Sequence, residues 1–413
     1  MKFSVHTLGC RVNQSESDII ETSLKRAGWY ATDLSQKPDY SIINTCTVTA
    51  KSDYQSRQLI RRALRAGSNV IVTGCYSQLH PEEVMAIDEK IKIIENKDKL
   101  KIVNILLKNR DILITNISNK RARPYLKVQD GCNFSCSYCI VPIARGKSRS
   151  LDISEALKRA EEIESAGYNE IVVTGIHLGS YGNDLYPRIN LSKLIKTLLN
   201  YTKIPRIRLS SIEISEVDNE LIEVLEEERI CKHLHLPLQS GDDSILKLMK
   251  RNYSSKDYIM TIEKIIKKIP DIALGTDIIV GFPGEGEREY LNTKKIINSI
   301  PFTYIHVFPF SSRPNTLASK MSNQCNPSLK KQRLNEIRAL NIEKKIAYMK
   351  SYIGRELDII IEENTIDEIA IGTSSNYLKV KTKVNGYPIG SLIRVRISDI
   401  SKDFLIGEPV KKI

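Results

Sequence analysis

Apolar positions follow two rhythms along this chain, and the points where one gives way to the other divide it. Over residues 1–115, short strand-like runs at 3–8, 40–43, 69–72 and 91–94 alternate with helical spacing at 16–27, 50–66 and 97–107. Gly28 and Gly67 stand as stop signals after the first two helices. Strands separated by helices predict a parallel, flavodoxin-like α/β domain with right-handed crossovers. Residues near 116–124, with Asn119, Lys120, Arg121, Arg123 and Pro124, read as a linker. Alternation then resumes for six units, with strands expected at 125–129, 170–174, 206–210, 233–236, 274–280 and 304–308. Helices are expected between them at 154–166, 191–199, 219–227 and 285–299. Eight units would close a barrel; six predict a partial (βα)6 barrel. A long mixed-charge helix at 329–350 follows. From Ser351 the texture becomes short strands at 356–361, 377–384 and 392–397, set apart by turn signals such as Asn385-Gly386 and Pro388. That texture predicts a small antiparallel β-barrel of the oligonucleotide-binding kind. The resulting division is 1–115, 116–349 and 350–413.

Composition narrows the class. A chain of 413 residues exceeds one ordinary domain, and 41% hydrophobic with 27% charged residues is a globular balance. The longest apolar runs, such as Ile278-Ile279-Val280, are far too short to cross a bilayer. The first residues carry no secretory apolar region, so a cytoplasmic protein without a membrane partner is expected. The net charge of +13 suggests a polyanionic partner such as nucleic acid. Part of the excess is local: Lys120, Arg121, Arg123, Lys127, Arg145, Lys147 and Arg149 face the single acid Asp130 between residues 119 and 150. A solvated basic rim is the plainer reading of that cluster. In the last segment, Lys379, Lys381 and Lys383 share one strand face, and Arg394 and Arg396 repeat the pattern. This face is either a nucleic-acid contact or a lysine-protected edge.

Candidate chemistry centres on Gly131-Cys132-Asn133-Phe134-Ser135-Cys136-Ser137-Tyr138-Cys139, a C-x3-C-x2-C spacing with no fourth cysteine or histidine nearby. A structural zinc site takes four protein ligands, and ferredoxin-type clusters take four cysteines. Three leave open a chance grouping, a zinc site completed by a remote residue, or a four-iron cluster with one iron free for a small molecule. Three more cysteines, Cys10, Cys46 and Cys75, each follow an expected strand of the first domain. The carboxyl ends of parallel strands share one crevice, so these three can converge on a second metal site. Gly9 and Gly74, just before Cys10 and Cys75, permit close backbone approach. Six cysteines in such settings argue for reduced thiolates and against disulfides, with Cys231 and Cys325 as ordinary residues.

The C-x3-C-x2-C spacing, with aromatic Tyr138 before the third cysteine, resembles the radical S-adenosylmethionine (SAM) enzymes. The wider stretch from Val128-Gln129-Asp130 to Ala144-Arg145-Gly146 resembles their methylthiotransferase branch. So do Thr7-Leu8-Gly9-Cys10-Arg11-Val12-Asn13-Gln14, Asn44-Thr45-Cys46-Thr47-Val48-Thr49 and Thr73-Gly74-Cys75, and the terminal segment is similar to that family's tRNA-contacting TRAM domain. The resemblance spans the whole chain. It implies a [4Fe-4S] cluster on Cys132, Cys136 and Cys139 that cleaves SAM, and a second [4Fe-4S] cluster on Cys10, Cys46 and Cys75 that presents sulfur. It further implies a SAM cradle built from strand-end loops at 175–182, 210–213, 235–241, 277–285 and 309–313. Tyr138, Ser211, Glu213 and Gln239 are its candidate cofactor contacts. Pro314-Asn315-Thr316 departs from the Pro-Gly-Thr expected there, a change that asparagine's tolerance of left-handed backbone allows.

The phrases around Cys10 and Cys46, with Ser56-Arg57-Gln58-Leu59-Ile60-Arg61-Arg62-Ala63 behind them, look most like enzymes acting on N6-threonylcarbamoyladenosine beside the tRNA anticodon. Arg57, Arg61 and Arg62 are the expected contacts to its carboxylate or to phosphate. Arg11 stands where that branch often has lysine. Isopentenyladenosine in tRNA and a ribosomal protein rank next as substrates, and a non-catalytic iron–sulfur RNA-binding redox sensor is the reading from another class. The enzyme reading implies tRNA, a low-potential electron donor and a sulfur donor as partners.

Overall fold

Five parallel strands open the chain: β1 (Lys2–Thr7), β2 (Tyr30–Ala31), β3 (Tyr40–Thr45), β4 (Asn69–Gly74) and β5 (Lys92–Ile93), in the order β2-β1-β3-β4-β5. The computed structural model describes residues 1–107, 121–365, 368–383 and 386–410. Strands β3 and β4 are almost wholly buried because helices cover both faces. Phe3, Ile42 and Ile71 pack on one side with Ile20, Leu24 and Ile102, while Ile43, Val70 and Val72 pack on the other with Ile60 and Ala63. Helix α1 (Arg11–Arg26) starts five residues before the expected position. Its first turns carry Asn13, Ser15 and Glu16, polar side chains that are nonetheless buried, so apolar periodicity could not mark them. The edge strand β2 was too short to show a period. Helices α2 (Ala50–Arg65) and α3 (Cys75–Leu79) follow β3 and β4.

The central region contains β6 (Tyr125–Lys127), a two-residue ribbon formed by β7 (Gln129–Asp130) and β8 (Arg149–Ser150), then β9 (Glu170–Thr174) and β10 (Arg206–Leu209). Strands β11 (His233–His235), β12 (Ala273–Val280) and β13 (Phe302–Pro309) complete it. The parallel sheets β10-β9-β6 and β11-β12-β13 meet at a bridge between Ile207 and Ile230, giving six strands in an open barrel. The six strands coincide with the expected ones to within about two residues. Helix α1 lies against the open edge at β6, where the Tyr125 hydroxyl donates to Gln14 at 3.0 Å.

The helix Pro327–Lys350 leads to a closed barrel of β14 (Glu356–Asn364), β15 (Ile369–Ser374), β16 (Lys379–Lys383), β17 (Leu392–Ser401) and β18 (Phe404–Pro409), ordered β14-β15-β16-β18-β17. Every pair is antiparallel except β16 with β18. Strands β15 and β18 were not singled out from the sequence. The architecture is thus α/β with parallel sheets and a terminal barrel. Asn119, Lys120 and the residue-115 boundary lie outside the described residues, as do Val384 and Asn385. Arg121 and Arg123 are not linker surface: Arg121 pairs with Asp18 at 2.6 Å, and Arg123 ties β9 to β14 through Glu170 and Glu362.

Candidate active site

Cys10, Cys46 and Cys75 sit at the carboxyl ends of β1, β3 and β4, which are neighbours in the sheet. Gly9, at φ +97°, brings its backbone so close to Cys46 that a Cβ would lie 2.8 Å from the sulfur. Gly74, at φ +105°, packs on the backbone of Thr45. The three thiols are near enough to feel one another's charge. Burial pushes the Cys46 and Cys75 thiols up, and at Cys75 the cations Arg145 and Lys99 oppose that rise. Cys10 is exposed.

Cys132, Cys136 and Cys139 occupy the loop between β7 and helix α4 (Val141–Arg145), at the carboxyl end of the barrel's first strand. Burial pushes Cys139 up to about 12. His177, from the loop after β9, places Nδ1 3.5 Å from the Cys132 sulfur and Nε2 2.9 Å from Glu216. Burial pulls the imidazole down, but these two partners outweigh it and hold the group at about 10. Arg251 donates from Nη1 to the Cys136 sulfur at 3.4 Å and is paired with Glu213. Glu213 therefore reaches the cluster loop through Arg251. The sequence reading missed both His177 and Arg251; the strand-end position of Gly175-Ile176-His177 was a usable signal for the first, and nothing local marked the second.

A cavity of about 240 Å³ lies beside Cys139, where the first domain meets the barrel. Val48 and Thr49 line it from the first domain, Tyr138 to Val141 from the cysteine loop, Asp277 and Phe308 from β12 and β13, and Gln239 from the loop after β11. Gln239 holds φ +65° and is buried, which turns it out of the strand direction at the cavity wall. Tyr138 stands edge-on to Phe282. Asn315 does adopt the left-handed backbone, at φ +64°. Ser211 is exposed and is not among the residues lining this cavity. Arg313, after β13, pairs with Asp53 of α2 and fixes the first domain against the barrel mouth.

Both sets fit a thiolate-bound iron–sulfur group. Each offers three soft donors free of disulfides, with cations close by to balance an anionic cluster. Among the described residues, no three His, Cys, Asp or Glu side chains are arranged to hold a single metal ion. The basic rim is another matter. Arg121, Arg123, Lys127 and Arg145 are consumed in ion pairs between domains, leaving Lys147 and Arg149 exposed. On the terminal barrel, Lys379 pairs with Glu362, Arg394 with Asp358 and Arg396 with Glu356. Lys379, Arg394 and Arg396 thus meet acids supplied by β14, while Lys381 lies over the Phe404 ring, and local alternation could not reveal these partners.

The Radical SAM superfamily pattern matches residues 126–297, and a family described as uncharacterized protein family UPF0004 matches residues 2–95. A radical SAM methyltransferase from Kitasatospora setae, TsrM, shares the fold with a TM-score of 0.56 over 77% of this chain and 76% of its own, at 13% identity. Fold and sequence pattern together define a radical SAM enzyme, which uses SAM and a [4Fe-4S] cluster. Over nearly its whole length the chain is 38% identical to the threonylcarbamoyladenosine tRNA methylthiotransferase MtaB of Bacillus subtilis, covering 99% of this chain and 96% of that one. It is 36% identical to the Aquifex aeolicus protein of the same name (96% and 100%) and 30% identical to a tRNA-2-methylthio-N(6)-dimethylallyladenosine synthase of Fervidobacterium nodosum (100% of both). The chain belongs to the radical SAM methylthiotransferase family. That membership sets the non-catalytic sensor aside. Among the described residues no helix is long and apolar enough to cross a membrane.

Proposed function

We propose that this enzyme adds a methylthio group to C2 of N6-threonylcarbamoyladenosine at position 37 of tRNA. Cys132, Cys136 and Cys139 hold the cluster that binds SAM, and Cys10, Cys46 and Cys75 hold a second [4Fe-4S] cluster that carries the sulfur. The observation that carries the reading is the cavity walled on one side by Val48 and Thr49, just past Cys46 in the chain, and on the other by Cys139 itself. When bound, the first cluster supplies the electron for SAM cleavage, and the resulting radical chemistry can remove a hydrogen that no side-chain base could take.

The chain's own residues orient and shield. Arg251 bonds to the Cys136 sulfur while Glu213 fixes the guanidinium, and His177 does the equivalent at Cys132. Gln239, Tyr138 and Phe308 line the cavity, which is where SAM and the base would meet. The Arg313–Asp53 pair keeps the two walls together. Among the candidate carboxylate contacts, Arg57 is already held by the Tyr76 hydroxyl at 3.1 Å and by Glu83 at 3.2 Å, whereas Arg61 and Arg62 are exposed on α2. These two are the ones free to meet a carboxylate or a phosphate.

Support for the threonylcarbamoyl substrate comes from the names of the 36–38% identical relatives. The isopentenyl-type reading draws on relatives at 30%. Anaerobic turnover of two transcripts, one bearing each modified adenosine, separates them. Mass spectrometry of the digested nucleosides is expected to show methylthiolation of the threonylcarbamoyl form; product from the isopentenyl form alone would overturn the assignment.

A further inference from the structure

We propose that Arg145, carried by the domain of the Cys132 set, is a positioning residue for the cluster on Cys10, Cys46 and Cys75, donating to its sulfur and raising its reduction potential. The inference rests on the two-cluster reading above.

Arg145 ends helix α4, six residues after Cys139, yet its side chain leaves its own domain. It is 1% exposed. Nη1 donates to Asp130 at 2.8 Å and to Glu16 at 3.2 Å, and Nη2 is bonded to Asn13. Glu16 and Asn13 belong to α1, whose N-terminal neighbour is Cys10. The guanidinium lies against the Cys75 thiol and feels the charge of Cys10 as well. Two of its three nitrogens are therefore committed to carboxylate and amide oxygens, and the third is not: Nε is buried and has no acceptor. An orphaned donor on a fully charged, buried side chain is costly unless something accepts from it. The group beside it that is rich in acceptors is the sulfur of the cluster the cysteines would hold.

The charge balance points the same way. Lys99, Lys127 and Arg145 converge on Glu16 and Asp130, and the exposed Arg149 reaches Asp130 at 3.8 Å, so the cations outnumber the two carboxylates even without Arg149. Lys99 is also buried, bonded to Glu16 at 2.5 Å and to Asn44 at 3.1 Å, and it too acts on Cys75. An unbalanced positive charge in a dry junction is unfavourable on its own and favourable next to an anionic cluster. Hydrogen bonds to the sulfurs and local charge are the protein's means of setting cluster potentials. A guanidinium, charged at any working pH, serves both. Because Arg145 comes from the loop of the other cysteine set, the two cluster environments are mechanically joined by one side chain.

The test uses the full chain with Cys132, Cys136 and Cys139 changed to alanine, so that only the N-terminal set can load. Redox titration followed by electron paramagnetic resonance is compared with the same protein carrying Arg145→Gln or Arg145→Lys. Arg145→Gln is expected to lower the reduced-to-oxidised ratio at fixed potential at least tenfold, about 59 mV for one electron. Arg145→Lys, which keeps the charge, is expected to move it less. An unchanged midpoint in an iron-loaded Arg145→Gln protein overturns the proposal. Should Arg145→Gln fail to load, the parent protein labelled with 15N-guanidinium arginine gives an independent answer. Pulsed resonance on the reduced cluster is expected to show a 15N coupling that Arg145→Lys removes, and absence of coupling in the parent overturns the proposal. A parent protein that binds no cluster iron overturns the two-cluster reading instead.

Discussion

Arg11 donates from Nη2 to the hydroxyl of Tyr377 at 3.0 Å, a bond between residues 366 apart in sequence. Arg11 directly follows Cys10, and Tyr377 lies at the tip of the turn between β15 and β16. The bond forms inside the central barrel. Tyr377 stacks on His233 of β11 at 4.4 Å and approaches Tyr304 of β13. Those two strands are separated by β12, so their side chains meet only in the interior, where His233 and Tyr304 are also bonded at 2.8 Å. All three regions of the chain thus converge on one tyrosine, and the terminal barrel is a plug as well as an appendage.

Tyr377→Ala is expected to cost about 3 kcal/mol, the lower part of the range for a buried aromatic, because the residue is half-buried. Urea unfolding measures it, and limited proteolysis is expected to release the terminal barrel first. Tyr377→Phe keeps the stack and loses only the hydroxyl, at about 1 kcal/mol. Arg11→Ala combined with Tyr377→Phe should cost less than the two singles together, since both remove the same bond. Strict additivity would show that the bond does not form in solution.

Glu170 supplies a pH-dependent part of the stability. Its carboxylate is fully buried, and burial alone would raise it, but Arg208, Arg206 and Arg123 hold it at about 2 against an ordinary 4.5. A depressed carboxylate contributes stability above its unfolded value and loses it as pH falls through the folded one, so the loss lies between about 4.5 and about 2. Glu170→Gln is expected to destabilise by about 3–5 kcal/mol near neutrality, since it leaves buried guanidinium groups unpaired. It should also flatten the fall in stability across that acid window. Urea midpoints recorded at several pH values decide it; parallel curves for the two proteins would contradict the assignment.

The strands were legible because parallel sheets covered by helices impose continuous apolar runs, and 170–174 was placed to the residue. Cys10, Cys46 and Cys75 were legible as a set because strand ends converge in any such sheet. Arg251 was not legible. It lies 115 residues from Cys136, and only packing joins them. The polar start of α1 failed for a related reason: Asn13 and Glu16 are buried against another domain, and periodicity registers only apolar faces. The basic stretch at 119–150 misled, since opposite charges such as Asp18, Glu16 and Glu170 come from elsewhere in the chain to meet it.

The two cysteine sets should fail differently. Cys136→Ala is expected to abolish reductive cleavage of SAM to methionine and 5′-deoxyadenosine, read by chromatography under a low-potential reductant. Cys46→Ala is expected to retain that cleavage and to yield no methylthiolated nucleoside. Methylthio product from Cys46→Ala would show that the sulfur does not come from the N-terminal set.

Gly74 offers a sharper probe, because it alters no candidate ligand. At φ +105° and ψ −175° it occupies backbone space that is essentially reserved for glycine, at a strain of about 1–3 kcal/mol for any other residue. A Cβ there would also overlap the backbone of Thr45, the residue just before Cys46. Neither atom can yield without moving Cys46 or Cys75, since Thr45 is paired with Gly74 in the β3–β4 ladder and its hydroxyl donates to Thr73 at 2.7 Å. Gly74→Ala is therefore expected to keep the iron of the Cys132 set and its SAM cleavage, while losing the iron of the N-terminal set and the methylthio product. Alanine at Gly67, also at positive φ but with open space around it, is the control: it pays backbone strain without disturbing either sulfur. If Gly74→Ala kept its full iron content, the spacing of Cys46 and Cys75 would not be set by this contact.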